Sequence, residues 1–390
     1  MPGNAHDVEP LSCLTDLRPL MSVTHTGVYL DHAAAGPMPE PVAEAMKNRI
    51  SSAADFGVRH WNHWQKQVDR TRRLAADLVG GSSDEIAFVP NTAAGIGIIA
   101  EGYPWHSGDN VVLSSAEFPS NRFPWMHLRR RGIEVRLVDT PESAEGFAAA
   151  IDGACDSHTR IVACSWVDYG TGVRRNAEQL SAHAHRHGAL LVLDAVQGLG
   201  VLPIDLAAQG VDALVSDSRK WILGPEGAGI MAVCKEHFDR FDLTRIGWAG
   251  MARPMDFTAD RLEFSQTARR FESGMHNTFG IAGLFAALRL LKDISAAERE
   301  CRLLEVRATF VDAAQRVGLL TADLPEAAQS GIISFDTGGR PASALEKHLQ
   351  SIDITVNLRN GRVRVSPHVY NNDHDAARFA AAVADWRTIT

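Results

Sequence analysis

Short apolar runs of β type recur at 86–89, 111–114, 135–138, 161–167, 189–193, 213–216 and 229–233, and helical stretches such as 121–131 and 176–187 fill the gaps between them. Parallel strands need crossovers, usually helical, and a sheet covered on both faces shows continuous apolar strands instead of alternating ones. The alternation therefore predicts an α/β fold, a mostly parallel sheet with helices on both faces. After Gly280 the pattern changes. Two long helices are expected over 281–317, shorter strands near 331–336, 353–356 and 362–365, and a closing helix near 373–387, which together predict a smaller α+β domain. The expected division of the 390 residues is an irregular arm (1–25), a large domain (26–280) and a small C-terminal domain (281–390).

In open α/β sheets ligands sit outside the carboxyl ends of the strands. Polar and aromatic residues gather at those positions here. Thr92 follows the run ending at Val89, Phe118 follows Ser114, Asp168 and Tyr169 follow Val167, Asp194 follows Leu193, and Lys220 follows Ser216. Five expected strand ends thus converge on one crevice.

Asp194 and Lys220 stand twenty-six positions apart (220 − 194). A lysine amine can form a Schiff base with the aldehyde of pyridoxal phosphate (PLP), and a strand-end carboxylate can hold the pyridinium nitrogen protonated, so that the ring acts as an electron sink. Taken alone, the two residues fit better a buried strand ending in a capping Asp with an unrelated surface Lys. The surrounding sequence decides between these readings. Leu193-Asp194-Ala195-Val196-Gln197-Gly198, Asp217-Ser218-Arg219-Lys220-Trp221, Asn91-Thr92-Ala93-Ala94-Gly95, Glu117-Phe118-Pro119-Ser120-Asn121, Phe271-Glu272-Ser273-Gly274 and Arg364-Val365-Ser366-Pro367-His368 follow one another along the chain. In this order they resemble the class V aminotransferase-like, fold-type I PLP enzymes, the group that includes cysteine desulfurases and isopenicillin N epimerase-like enzymes.

The resemblance implies a role for each matching residue. Lys220 would carry the cofactor and Asp194 would face its ring nitrogen. The start of the helix at Thr92 and Ala93 would cradle the phosphate with backbone amides, Thr92 adding a hydroxyl where Ala93 lacks the one many relatives carry. Phe118 would lie over the cofactor face, although a core Phe reads the same way in sequence. Gln197 would meet the phenolic oxygen. Asp217 and Arg219 flank the lysine; relatives usually have His where Arg219 stands, and its guanidinium either reaches the phosphate or points outward to a partner subunit. Met275 stands where relatives place a Thr that serves the neighbouring subunit, so either Thr278 or Asn277 substitutes for it or the contact is lost. Arg364 matches the arginine that pairs with a substrate carboxylate, with Arg359 and Arg362 close enough to share that role and Tyr169 nearby at its strand end.

The expected activity is that of a PLP-dependent lyase or transferase on an α-amino acid or amino-acid conjugate, in secondary metabolism, by elimination at a C–S bond or by transamination. Epimerisation and decarboxylating oxidative deamination are the alternatives, and a silent PLP-fold scaffold is the non-enzymatic one. A persulfide-type cysteine desulfurase is not expected, because positions 355–363 ahead of Arg364 hold no Cys and Cys301 is more than sixty residues upstream. A homodimer is expected from the family. A net charge of −8 without a basic tract argues against nucleic acid. The five scattered cysteines, with no metal spacing, and an N-terminal stretch with no apolar core of a signal argue for a cytoplasmic protein with no metal and no membrane partner.

Overall fold

The computed structural model describes residues 8–140 and 143–389. The chain enters through 3₁₀ turns at Leu14–Leu20 and Ser22–His25, then β1 (Val28–Tyr29), α1 (Glu40–Phe56) and α2 (Trp61–Val79). The large sheet follows: β2 (Ile86–Val89), α3 (Thr92–Gly102), β3 (Asn110–Ser114), α4 (Phe123–His127), β4 (Glu134–Val138), α5 (Ala144–Ala154), β5 (Thr159–Ser165), α6 (Ala177–Arg186), β6 (Leu190–Asp194), β7 (Ala213–Asp217) and β8 (Gly229–Val233). The remainder is α7 (Thr278–Leu291), α8 (Ala296–Arg316), β9 (Ile333–Phe335), α9 (Ala342–Gln350), β10 (Ile354–Thr355), β11 (Asn357–Arg359), β12 (Arg362–Val365) and α10 (Asp373–Ile389).

Among the described residues, seven strands form the large sheet in the order β2-β8-β7-β6-β5-β3-β4. Every pair from β7 to β4 is parallel; β8 is antiparallel to both β7 and β2. Two reversals restore direction, so β2 points the same way as β3, β5, β6 and β7. Their carboxyl ends share one edge of the sheet, as the sequence pattern predicts. The strands are buried almost throughout, β6 and β7 at every position. This is what continuous runs such as Leu190-Leu191-Val192-Leu193 require once helices cover both faces.

Local sequence fixes the helix boundaries. Asn91 caps α3 by accepting the amide of Ala94 (2.9 Å), and Asn277 caps α7 by accepting that of Gly280 (3.0 Å). The helix expected from 281 therefore begins three residues earlier, and the expected division at 280 falls in its first turn. α7 packs against both α1 and α2. The single helix expected over 121–131 is instead a short α4 between 3₁₀ turns at Pro119–Asn121 and Leu128–Arg131. Pro119 and Pro124 stand in the first turns of their segments, where a missing amide hydrogen costs nothing, and Gly132 in a left-handed conformation (φ 76°) ends the stretch. A second apolar core lies between the antiparallel sheet β11-β12-β9 and α8, α9 and α10, with Phe310, Phe335, Phe379 and Trp386 at its centre. It also takes in Val28 and Leu30 of the N-terminal segment, since β1 pairs in parallel with β10.

Candidate active site

Four of the five expected strand ends, those of β2, β3, β6 and β7, meet at one cavity of about 390 Å³, and Asp168 and Tyr169 beyond β5 are not in its wall. Its wall includes Thr92 and Ala93 at the start of α3, Phe118 beyond β3, Asp194 at the end of β6, and Asp217, Arg219 and Lys220 beyond β7. Close approach of backbones shapes it. Gly95 lets α3 lie on β7, where a Cβ would stand 2.5 Å from Val215 Cγ1. Gly36 lets the 31–36 segment cross the lysine turn, and its amide donates to the Arg219 carbonyl (2.7 Å); a Cβ there would meet the Lys220 carbonyl at 2.6 Å. The turn after the lysine is tight enough to hold Leu223 at φ 59°, a conformation rare for a residue with a Cβ.

Asp194 and Lys220 are both buried. Burial pushes the Asp194 carboxyl up, against the pull of the Val196 amide (3.0 Å) and of Lys220, with Glu117 and Asp217 adding repulsion. Burial pushes the Lys220 amine down, Asp194 opposes this, and the guanidiniums of Arg364 and Arg219 push it further. A lysine so placed is a better nucleophile and base near neutrality than an exposed one. Its Nζ lies 5.8 Å from the centre of the Phe118 ring.

Arg364 does not line the cavity itself but stands beside it. It is almost wholly buried, donates from Nη2 to Asp31 Oδ1 (2.9 Å) and from Nη1 to the Tyr169 carbonyl (2.9 Å), and its buried Nε has no partner among the described residues. Tyr169 turns its ring edge to Phe118 at 5.2 Å between centres. Arg359 bonds within its own strand, to Asn357 Oδ1 (2.7 Å) and the Leu358 carbonyl (2.6 Å), and Arg362 faces Asp336 at 3.9 Å. Arg219 turns outward, to Glu226 (3.2 Å) and Asp217 (3.5 Å). Gln197 is buried behind the wall, donating to the Ala33 carbonyl (3.0 Å) and accepting from the Trp221 indole (3.1 Å). Thr278 lies apart from the cavity and accepts from Arg49 Nη2 (2.7 Å). Among the described residues no cluster of His, Cys, Asp or Glu could hold a metal ion, and no helix is long and apolar enough to cross a membrane.

Sequence reasoning passed over two buried carboxylates. Asp31 binds Arg364 and also accepts from Asn357 Nδ2 (2.8 Å). Glu117 accepts from Arg175 (3.0 Å), Asn121 (3.0 Å) and the Ser165 amide (2.9 Å), and bonds the Ser165 hydroxyl, which ties the loop carrying Phe118 to the end of β5. Both sit inside or next to the matching stretches, directly before His32 and Phe118, and that adjacency was the available signal.

The aminotransferase class-V family profile matches residues 28–379. This chain belongs to the class V aminotransferase family. Among its relatives are a probable cysteine desulfurase of Methanothermobacter thermautotrophicus, 30% identical over 72% of this chain and 70% of that protein, and a probable cysteine desulfurase of Pyrococcus abyssi, 27% identical over 95% of this chain and 96% of that one. The apo structure of a cysteine desulfurase from Thermococcus onnurineus NA1 superposes with a TM-score of 0.86 at 24% identity, covering 98% of this chain and 100% of that one, which shows the shared fold.

Members of this family are PLP-dependent enzymes, and the residues present here fit that cofactor. The Thr92 hydroxyl is buried without a partner at the first turn of α3, beside amides able to take a phosphate. Asp194 is a buried carboxylate at the cavity wall with no cation bonded to it among the described residues, the situation a ring N–H relieves.

One expectation is corrected by these relatives. The exclusion of cysteine desulfurases, together with the assignment to C–S elimination or transamination in secondary metabolism, does not stand against relatives that carry the desulfurase name. The exclusion rested on the absence of Cys from 355–363, a stretch the structure shows as the tight β11–β12 hairpin. A cysteine there would be the nucleophile that bonds to the substrate sulfur as its bond to carbon breaks. It does not bear on which amino acid the site holds.

Proposed function

We propose that this class V enzyme takes cysteine as its substrate and removes its sulfur. The observation that carries the reading is the strand-end cavity whose wall holds both Asp194 and Lys220, with the buried Arg364 close enough to push the Lys220 amine down. Bound PLP supplies the electron sink that makes the Cα–H bond of an amino acid acidic. Thr92 and the amides of Thr92 and Ala93 would hold the phosphate. Asp194 would pair with the ring nitrogen, and its elevated carboxyl would become a stable carboxylate once a cation stands against it. Phe118, with Tyr169 edge-on to it, would supply an aromatic surface for the ring. Arg364 takes the substrate carboxylate through its free Nε and one Nη, already oriented by Asp31 and the Tyr169 carbonyl. Lys220, its amine lowered by burial, moves the α-proton. Gln197 and Arg219 act from behind the wall and from the rim, Gln197 steadying Trp221 next to the lysine. Arg359 adds positive potential next to Arg364.

The family assignment also motivates a homodimer. Val58, Ile246, Phe257, Leu262 and Met275 are large apolar side chains left exposed on the single chain, and Thr278 and Asn277 lie close to Met275. A reducing, cytoplasmic setting suits Cys13, Cys155, Cys164, Cys234 and Cys301, all of them free thiols. The test of the function is incubation of the PLP-loaded protein with L-cysteine and a small thiol, which takes the sulfur as the C–S bond breaks and is oxidised to a disulfide as sulfide is released, measuring alanine and sulfide. Formation of both in equal amounts supports the reading. Turnover of other amino acids with none of cysteine sinks it.

A further inference from the structure

A second cavity, of about 240 Å³, opens between α1, α2 and α7, away from the strand-end site. Arg49, Lys66, Arg70 and His63 line it, with Asn48, Ser52 and Gln67 as neutral polar groups and Trp64 and Phe285 as apolar walls; no carboxylate is among the described residues of the lining. Arg49 is more than nine-tenths buried. One face of its guanidinium is covered by the Trp64 ring, 3.4 Å from the centroid, and Nη2 donates to Thr278. Nε and Nη1 lie in the same plane and have no partner among the described residues.

That state is unusual within this molecule. Among the described residues, the other buried arginines each meet an acceptor suited to their charge. Arg72 is paired with Glu272, Arg175 with Glu117, Arg270 with Asp239 and Arg364 with Asp31. Arg299 and Arg307 donate to backbone carbonyls. A ring stacked on a guanidinium leaves its in-plane donors open, and an uncompensated buried cation is costly. Burial pushes Arg49 down from the usual arginine range with no carboxylate to hold it up. A missing counter-charge, beside a second cation and two aromatic walls, is what an acidic ligand with an apolar body would supply.

We propose that this cavity binds a small organic anion, its oxyanion held by Arg49 and Lys66 and its body against Trp64 and Phe285. The test uses the PLP-loaded full chain and two probes, benzoate and inorganic phosphate, titrated calorimetrically against a chloride baseline of equal ionic strength. Saturable binding of either is expected, benzoate the tighter if the ligand class is carboxylate and phosphate the tighter if it is phosphate. A hydrogen bond to a charged group makes Arg49→Met or Lys66→Gln weaken that binding about tenfold or more. Lys66 is exposed, so its variant keeps the fold even if Arg49→Met does not. Arg364→Lys should leave the binding unchanged. No saturable binding, binding indifferent to both Arg49→Met and Lys66→Gln, or binding lost with Arg364→Lys would each overturn the proposal.

Discussion

Arg364 offers the sharpest test of how this site reads its substrate. Its guanidinium is buried, bonded on one side to Asp31 and the Tyr169 carbonyl, with Nε left open. Removing it has two separable consequences. Arg364→Ala strands Asp31 as a buried carboxylate, a loss of about 3–5 kcal/mol of folding stability when one partner of a buried pair goes. It also removes the substrate's counter-charge, worth about 2–5 kcal/mol for a desolvated pair. Arg364→Lys separates the two effects, because an ammonium can still meet Asp31 while the planar, two-donor grip on a carboxylate is lost. The assay compares L-cysteine with cysteamine, the same molecule without the carboxylate. The parent enzyme should prefer L-cysteine in kcat/KM by about 30- to 4,000-fold, the equivalent of 2–5 kcal/mol. In Arg364→Lys most of this preference should vanish, through loss of activity on L-cysteine and not through gain on cysteamine. Arg359→Ala and Arg362→Ala should keep it. A lysine variant that still discriminates as the parent does would refute the placement of the carboxylate on Arg364.

Other outcomes follow from the same geometry. Asp194→Asn should retain cofactor yet slow turnover by about a hundredfold or more, since a neutral amide cannot stabilise a ring cation; steady-state rates at matched cofactor occupancy decide it. Glu117→Gln breaks the buried pair with Arg175 and should lower stability by about 3–5 kcal/mol in urea unfolding, whereas Glu226→Gln, on the exposed rim, should change it little. His368 is buried and neutral, its ring pushed down to about 4 by desolvation while the Trp221 carbonyl opposes the shift. A base depressed in the folded state loses stability as pH falls from its unfolded value near 6.5 toward 4, because only the unfolded chain takes up the proton there. The parent should therefore lose about 3 kcal/mol across that window relative to His368→Gln, and the comparison cancels the opposite contribution of Asp194, whose carboxyl is raised. Parallel stability curves for the two proteins would remove His368 as the cause.

Apolar continuity in the sequence located each strand of the large sheet to within two residues, and with it the edge where the reactive groups gather, because burial on both faces leaves an uninterrupted signature. Lys220, Asp194, Phe118, Thr92 and Ala93 could be placed together for the same reason: Asp194 ends its strand and the others stand three or four residues beyond theirs. What escaped was the long-range pairing. Asp31 meets Arg364 across 333 positions, and nothing local distinguishes it from a solvent-facing turn residue. Gln197 reads as a polar residue at a ligand edge, yet its amide is bonded to Ala33 and Trp221, which only the crossing of the 31–36 segment brings near. The helix expected over 121–131 missed the passage into 3₁₀ turns on either side of α4, whose first turn Pro124 occupies without breaking it. Thr278 was read by its position in a motif, while its hydroxyl accepts from Arg49 on a different helix.

The central claim is that Lys220 carries the cofactor. Borohydride reduction of the PLP-loaded protein, followed by peptide mass mapping, tests it directly. The account predicts a single stable pyridoxyl adduct on Lys220 and none in Lys220→Ala, together with loss of the visible absorbance and of turnover in that variant. An adduct on another lysine in the parent, or a reducible linkage that survives in Lys220→Ala, would contradict it.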